Sequence, residues 1–345
     1  MKFVIDDTIA FVKGVFEPYA DVVYKAGADI CNADVLDADA LIIRTRTRCD
    51  AALLDGSSVK IIAMASIGMH NIDIEYCEAH GIFVQNATGC NAGGVMNYVF
   101  SALYGTAARK TISLSGATMG IIGLGNSGRR VAKMARYLGF KVLQYDPPKA
   151  AVEGPDAYCT LDELLADSDI ITLHIPLTDA TRNMCDASFF AKMSPGTFFI
   201  NSSRGELVDE NALMEAIPRL GPVIIDAWRN EPDINADLLE MVDIATPHIA
   251  GYSYQGKQTA ALTVVRAVAR YFSISQLYDF FPPTDIKELE AIRLDLKDKS
   301  QGEIASMLQY NYPIFTDDFM LRMNPADFEY LRHNYSYRRE FYVDY

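Results

Sequence analysis

The sequence predicts an α/β chain made of doubly wound parallel sheets, followed by a small α+β tail. Three observations carry this. Short apolar runs of strand length alternate with helical patterns up to about residue 90, and again from Thr118 to Thr246. The turn Gly123-Leu124-Gly125-Asn126-Ser127-Gly128 joins one of those strands to one of those helices. Near Phe280 the composition changes: Pro282-Pro283 breaks the chain, and the remainder is charged and tyrosine-rich.

In the first stretch, Phe3-Val4-Ile5, Leu41-Ile42-Ile43, Lys60 to Ala65 and Ile82-Phe83-Val84 read as buried parallel strands. Ile74 to His80 reads as a short helix stopped by Gly81. Asn91 to Arg109, rich in small and apolar residues, is expected to be a long helix connecting two domains. Beyond it, Thr118 opens a strand, Ala132, Met134, Ala135 and Leu138 mark a helix ended by Gly139, and Lys141 to Tyr145 forms the next strand. Ile170–His174, Thr197–Asn201, Pro222–Asp226 and Val242–Thr246 complete the series. Thr160-Leu161-Asp162-Glu163 is a capping box, and Asp209 opens a further helix. In the tail, Asn324 as N-cap and Pro325 in the first turn predict a helix from Ala326 to about Tyr337, with Phe328, Leu331 and Tyr335 on one stripe. A tail this small must pack on the rest of the chain or on a second copy.

The glycine turn has a physical reading. Gly123 permits the tight turn, Gly125 lets the backbone approach a pyrophosphate, and Gly128 lets helix and strand pack closely. The helix start, at Asn126 and Ser127, offers unpaired N–H groups to the anion. Asp146, about 18 residues beyond the last glycine, can accept from a ribose diol. That acid would repel a 2′-phosphate, and Pro147-Pro148 brings no arginine to bind one, so the expected cofactor is NAD rather than NADP.

Bulk properties exclude several classes. The net charge of −14 argues against nucleic acid and anionic membrane surfaces as partners. Apolar runs are too short to span a bilayer, and Asp6 and Asp7 fall where a signal peptide needs an apolar core, so the cytoplasm is expected. The 6 cysteines show neither C-x-x-C spacing nor a metal-like grouping with the 5 histidines; reduced, mostly buried thiols and no metal are expected.

Three segments at strand ends carry polar residues that a core would not require: Asn201 to Gly205, Asp226 to Pro232 and Thr246 to Tyr252. Taken singly, Arg204 could be a surface ion-pair partner, Glu231 a loop acid and His248 a structural histidine. Together they form a complete set for hydride transfer at a carbinol carbon. The arginine would hold an α-oxo acid, the histidine would move the hydroxyl proton, and the glutamate would favour the charged imidazole.

Gly-x-Gly-x-x-Gly, His174-Ile175-Pro176-Leu177-Thr178, Asn201-x-x-Arg204-Gly205, Glu231-Pro232 and Pro247-His248-Ile249-Ala250-Gly251 occur in the order seen in D-2-hydroxyacid dehydrogenases, which residues 1 to about 275 resemble. The resemblance implies catalytic roles for Arg204, Glu231 and His248. It implies an NAD site lined by the glycine turn, Asp146, Ile175, Asp226 and Gly251. It implies a flavodoxin-like substrate lid (residues 1–90 and 253–280), a Rossmann NAD domain (91–252) and a C-terminal dimerisation domain (281–345). Cys90-Asn91-Ala92, Tyr252-Ser253 with Gly256-Lys257, and the tail segment Phe328 to Glu340 resemble a branch acting on a phosphorylated 2-hydroxy acid as a homodimer. In that branch Thr45, Ser66 and Tyr252 fall at substrate-contacting positions.

Independently, Arg44-Thr45-Arg46-Thr47-Arg48 follows a strand at its carboxyl end. If the chain stays extended, alternation puts Arg44, Arg46 and Arg48 on one face, a positive patch suited to a phosphate; the bland alternative is a solvated strand end. Rival readings are a dehydrogenase for 3-phosphoglycerate or glycerate, and a non-enzymatic NAD(H)-sensing protein on the same fold.

Overall fold

A computed structural model of the chain describes residues 1–282 and 290–345. These fall into two compact units, Met1–Asn91 with Tyr254–Glu290, and Ala92–Ser253 with Ala291–Tyr345.

The first unit is a five-stranded parallel sheet of β1 (Lys2–Asp6), β2 (Asp21–Lys25), β3 (Ala40–Ile43), β4 (Ile61–Met64) and β5 (Phe83–Asn86), in the order β2-β1-β3-β4-β5. This is the flavodoxin-like order that the resemblance implies. Alternation along the central strands explains the two cores. Phe3, Ile5, Ile42 and Ala63 face Ala261, Val264, Val265 and Val268 of the helix Tyr254–Tyr271, whereas Val4, Leu41, Ile43 and Ile62 face Val35, Leu53, Leu54 and Cys77. Strand β2 escaped the sequence reading because, at the sheet edge, it is only half-buried and reads Asp-Val-Val-Tyr-Lys. The last strand starts one residue later than expected, and Phe83, expected in the core, is exposed.

The second unit is a six-stranded parallel sheet: β6 (Thr118–Ile122), β7 (Lys141–Tyr145), β8 (Ile170–Leu173), β9 (Phe198–Asn201), β10 (Val223–Ile225) and β11 (Ile244–Ala245), in the order β11-β10-β9-β8-β6-β7. The order reverses between β6 and β8, and ligands of such sheets lie beyond the carboxyl ends of the strands at that reversal. The expected capping box at Thr160 and cap at Asp209 are both formed. The helix Ala92–Arg109 is buried nearly all round, which accounts for its small and apolar composition.

The tail, expected as a domain of its own, packs within this second unit. Its strands β12 (Ile292–Leu294) and β13 (Phe341–Val343) pair in parallel. Asn97 clamps β13 from both sides, donating to Phe341 O (2.8 Å) and accepting from Phe341 N (2.9 Å). Gln301 likewise donates to Ile112 O and accepts from Leu114 N. The helix expected from Ala326 to Tyr337 is instead a 3-10 turn, Pro325–Asp327, followed by a short helix, Phe328–His333, and Asn324 makes no side-chain cap. Tyr335 lies beyond that helix, and the expected stripe is not exposed: Phe328 is fully buried beside Leu321 and Trp228, with Leu331 packed against the same cluster. Pro283 lies outside the described residues.

Candidate active site

The nucleotide-binding elements assemble as their residue types require. Gly123 adopts φ 92°, and a Cβ there would sit 2.6 Å from both His174 O and Ile175 Cγ2. A Cβ on Gly128 would lie 1.9 Å from Gly123 O, so only glycine lets the helix Asn126–Tyr137 start this close to the turn. A Cβ on Gly125 would meet no protein atom within 4 Å, so this glycine leaves an open approach to the helix N-terminus rather than relieving an internal clash. No side chain caps that N-terminus, where Asn126 and Ser127 begin the helix. Asp146 follows β7 and turns toward the glycines: its Oδ2 accepts from Leu124 N at 2.7 Å, and its Oδ1 caps the helix Pro147–Glu153 through Lys149 N at 3.1 Å. These residues fit the adenosine and pyrophosphate of NAD. Ile175 flanks the same turn, and His174, hydrogen-bonded to Thr172 Oγ1, is pushed down to about 4 by lost solvation and stays neutral.

Asp146→Ala is expected to weaken NAD binding about 10- to 100-fold, the effect of losing hydrogen bonds to a charged acceptor. Asp146→Ser, which keeps the helix cap, should show the same loss with less effect on melting temperature. Titration by nicotinamide fluorescence checks both; unchanged affinity would remove Asp146 from the site.

The residues singled out for chemistry follow β9, β10 and β11. Asn201, at the end of β9, accepts from Ser203 N and donates to Arg204 O (2.9 Å) and Ala227 O (3.3 Å), which shapes the loop carrying Arg204. A Cβ on Gly205 would lie 1.9 Å from Trp228 C, so glycine is what allows the two loops to touch. Asp226 is fully buried; it accepts from Thr246 Oγ1 (2.7 Å), Ile249 N (2.8 Å) and Ala250 N (2.9 Å). Burial raises its pKa, and the nearby His248 and those three donors pull the other way. It braces the loop that presents His248.

His248 sits at φ 56°, a left-handed backbone that costs a non-glycine residue on the order of 1 kcal/mol. Its backbone N–H donates to Asp226 O at 2.9 Å, so the residue just after β10 helps to fix this conformation. Its Nδ1 lies 2.9 and 2.8 Å from the two oxygens of Glu231. Glu231 also accepts from Trp228 N at 2.9 Å, and the indole of Trp228 in turn donates to Thr246 O. Burial would raise the Glu231 carboxyl; the His248 bond and charge, the Trp228 amide and Arg332 outweigh it, and the acid is held below the usual carboxylate range. Burial lowers Arg204, opposed by the charges of Glu231 and Glu206. The Arg204 guanidinium thus lies within electrostatic reach of the Glu231 carboxylate that holds the His248 ring.

Sequence reasoning gave no site role to Arg332. Its Nη1 lies 3.7 Å from Glu231 Oε2, and it is hydrogen-bonded to Tyr252, whose ring packs edge-on to Tyr335 at 6.0 Å and Tyr337 at 6.1 Å. Arg338 completes the brace, donating to Ile249 O, Ala250 O and Gly94 O with its guanidinium 4.1 Å from the Tyr312 ring. A Cβ on Gly94 would lie 3.2 Å from Gly251, so the buried helix approaches this loop closely. No local pattern marks these tail residues, because their meaning depends on a contact with a loop far away in sequence.

In the first unit the arginine segment is not extended. The chain turns at Thr45-Arg46, held by Asn71 Nδ2 donating to Thr47 O (2.7 Å) and Arg44 O (3.3 Å), and Thr47 is buried on Gly27 O. The common face expected for three arginines is therefore lost. Arg48 is exposed and pairs with Asp50 at 2.6 Å, while Arg44 reaches Thr8 Oγ1. Thr45 and Arg46 are exposed, and the Ser66 hydroxyl is buried with no hydrogen-bond partner. All six cysteines are free; Cys49, Cys77 and Cys185 are buried and Cys31 is exposed. No helix among the described residues is long and apolar enough to cross a membrane.

Strand order, glycine turn and the His248–Glu231–Arg204 cluster define the class: an NAD-dependent dehydrogenase acting on a hydroxyl group. The profile of the D-isomer specific 2-hydroxyacid dehydrogenase NAD binding domain matches residues 98–250. Erythronate-4-phosphate dehydrogenase of Bacteroides thetaiotaomicron is 42% identical over 99% of this chain and 97% of its own. The enzyme of that name from Chromohalobacter salexigens is 40% identical over 79% of this chain and 73% of its own. The chain belongs to the erythronate-4-phosphate dehydrogenase family of D-2-hydroxyacid dehydrogenases. Among solved structures, NAD+-bound 3-phosphoglycerate dehydrogenase of Entamoeba histolytica superposes with a TM-score of 0.66 at 26% identity, covering 83% of this chain and 99% of that one.

Proposed function

We propose that the protein oxidises the C2 hydroxyl of 4-phospho-D-erythronate with NAD, giving (R)-3-hydroxy-2-oxo-4-phosphobutanoate, a step of vitamin B6 (pyridoxal phosphate) biosynthesis in the cytoplasm. The observation that carries it is the Nδ1 of His248 held on both Glu231 oxygens, within a cluster that includes Arg204. NAD, when bound, supplies the hydride acceptor; the glycine turn with Asn126 and Ser127, together with Asp146, Ile175, Asp226 and Gly251, holds it. Asp226, fully buried, contributes by holding Ile249 N and Ala250 N, the residues that lead into Gly251.

With Nδ1 engaged, Nε2 is the nitrogen left to take the hydroxyl proton, and Glu231 balances the charge that the ring then acquires. In reverse, the charged ring returns the proton. Arg204 holds the substrate carboxylate and the charge developing on the C2 oxygen. Tyr252, Thr45 and Ser66 contact substrate, and at least one of Arg44, Arg46 and Arg48 receives the phosphate. Ser66 supports this reading because a buried hydroxyl without a partner needs one. The tail would make a homodimer: Tyr310, Phe319, Met320 and Met323 expose apolar surface on its helices.

The test offers purified protein 4-phosphoerythronate, 3-phosphoglycerate and D-lactate in parallel and follows NADH. Preference for the first by at least tenfold in kcat/KM is expected. Preference for 3-phosphoglycerate would move the chain to the rival substrate, and no turnover of any would favour an NAD(H)-sensing role. A one-chain mass in the same preparation would remove the dimer.

A further inference from the structure

The region matched by the NAD binding domain of D-isomer specific 2-hydroxyacid dehydrogenases, residues 98–250, contains Arg204, Glu231 and His248, and ends before the tail begins. Yet the tail reaches the same cluster. We infer that Arg332, on the helix Phe328–His333, is a positioning residue for proton transfer, holding the Glu231 carboxylate square to the His248 ring. This inference rests on the catalytic roles proposed above.

The geometry explains why Glu231 needs a third hold. Its Oε1 accepts from Trp228 N and faces His248 Nδ1, but among the described residues Oε2 has that same ring nitrogen alone at hydrogen-bond distance. A single N–H shared between two oxygens fixes the Oε2 side less firmly than the Oε1 side, which Trp228 N also holds. The Arg332 guanidinium stands 3.7 Å from Oε2, the oxygen that does not accept from Trp228 N. That separation suits a charge acting across a gap more than a tight hydrogen bond.

Arg332 is itself held. It is hydrogen-bonded to Tyr252, its own helix contributes the charge of Glu329, and Phe328 anchors that helix in the core. Arg204, in the loop after β9, feels the charge of the same acid, and Asp226, just after β10, feels that of His248. Arg332 brings a cation from the tail to the Glu231 carboxylate, so the tail contributes to the reaction as well as to packing.

The test uses full-length Arg332→Gln and Arg332→Lys, alone and with Glu231→Gln. Arg332→Gln is expected to lower kcat about tenfold, with KM for 4-phosphoerythronate and NADH affinity within about twofold, and Lys should recover most of the loss. In the Glu231→Gln background, Arg332→Gln should cost nothing further, because the residue acts through that acid. In isotope-labelled protein without substrate, the His248 Nδ1–H resonance should shift or broaden in the Gln variant and return in the Lys variant. A rise in KM with unchanged kcat, additive losses in the double variant, an unmoved resonance, or parallel falls in NADH affinity and melting temperature would each overturn the inference. Wild-type protein that turns over none of the offered acids would instead sink the functional reading, and the resonance would still decide the positioning role.

Discussion

His248→Asn is expected to lower kcat about 10²- to 10⁴-fold, the usual worth of a positioned acid–base group, while NAD affinity stays within a few fold. Asn is the informative replacement. His248 sits at φ 56°, a conformation that Asn tolerates better than most residues, so backbone relaxation of the loop is kept small. Asn cannot carry a proton between substrate and solvent, so the loss belongs to chemistry. Steady-state NADH formation and a fluorescence titration of NADH measure the two quantities separately. Equal losses in both would mean that the substitution had disturbed the Asp226-braced loop, and the acid–base role would fall.

Arg204→Met should reduce kcat/KM for the hydroxy acid by about 10³-fold. Removing a preorganised partner of a developing oxygen charge costs about 10²- to 10³-fold in kcat, and losing a two-pronged carboxylate clamp adds weaker substrate binding. Methionine suits a half-buried site whose desolvation already disfavours the guanidinium cation, so the fold should tolerate it. Arg204→Lys keeps the charge but loses the planar fork, and should recover only part of the rate. Separate kcat and KM values for the acid, with the NAD KM as control, decide the matter. A defect confined to NAD would place Arg204 at the cofactor and not at the substrate.

Both predictions depend on residues legible before any coordinates. The glycine turn was readable because each glycine answers a local need, now seen as a left-handed φ at Gly123 and a 1.9 Å approach at Gly128. Buried parallel strands were readable because both faces are apolar, as in Ile61–Met64 and Phe198–Asn201. Where an element lies at an edge, this signal fades: β2 was overlooked and Phe83 was expected in the core. The arginine segment failed for a related reason. Alternation presumes an extended chain, and nothing local reveals that Asn71 ties Thr47 and Arg44 into a turn.

The sequence alone therefore determined the fold class, the nucleotide turn and the identity of the three polar groups, because strand periodicity, glycine sterics and side-chain chemistry are properties of short segments. Tertiary structure alone decided that Asp226 is a fully buried brace, that the tail packs in the nucleotide-binding unit, and that Arg332 stands beside Glu231. Those facts come from contacts between residues distant in the chain. Their closure depends on how whole elements pack, and no single segment encodes it.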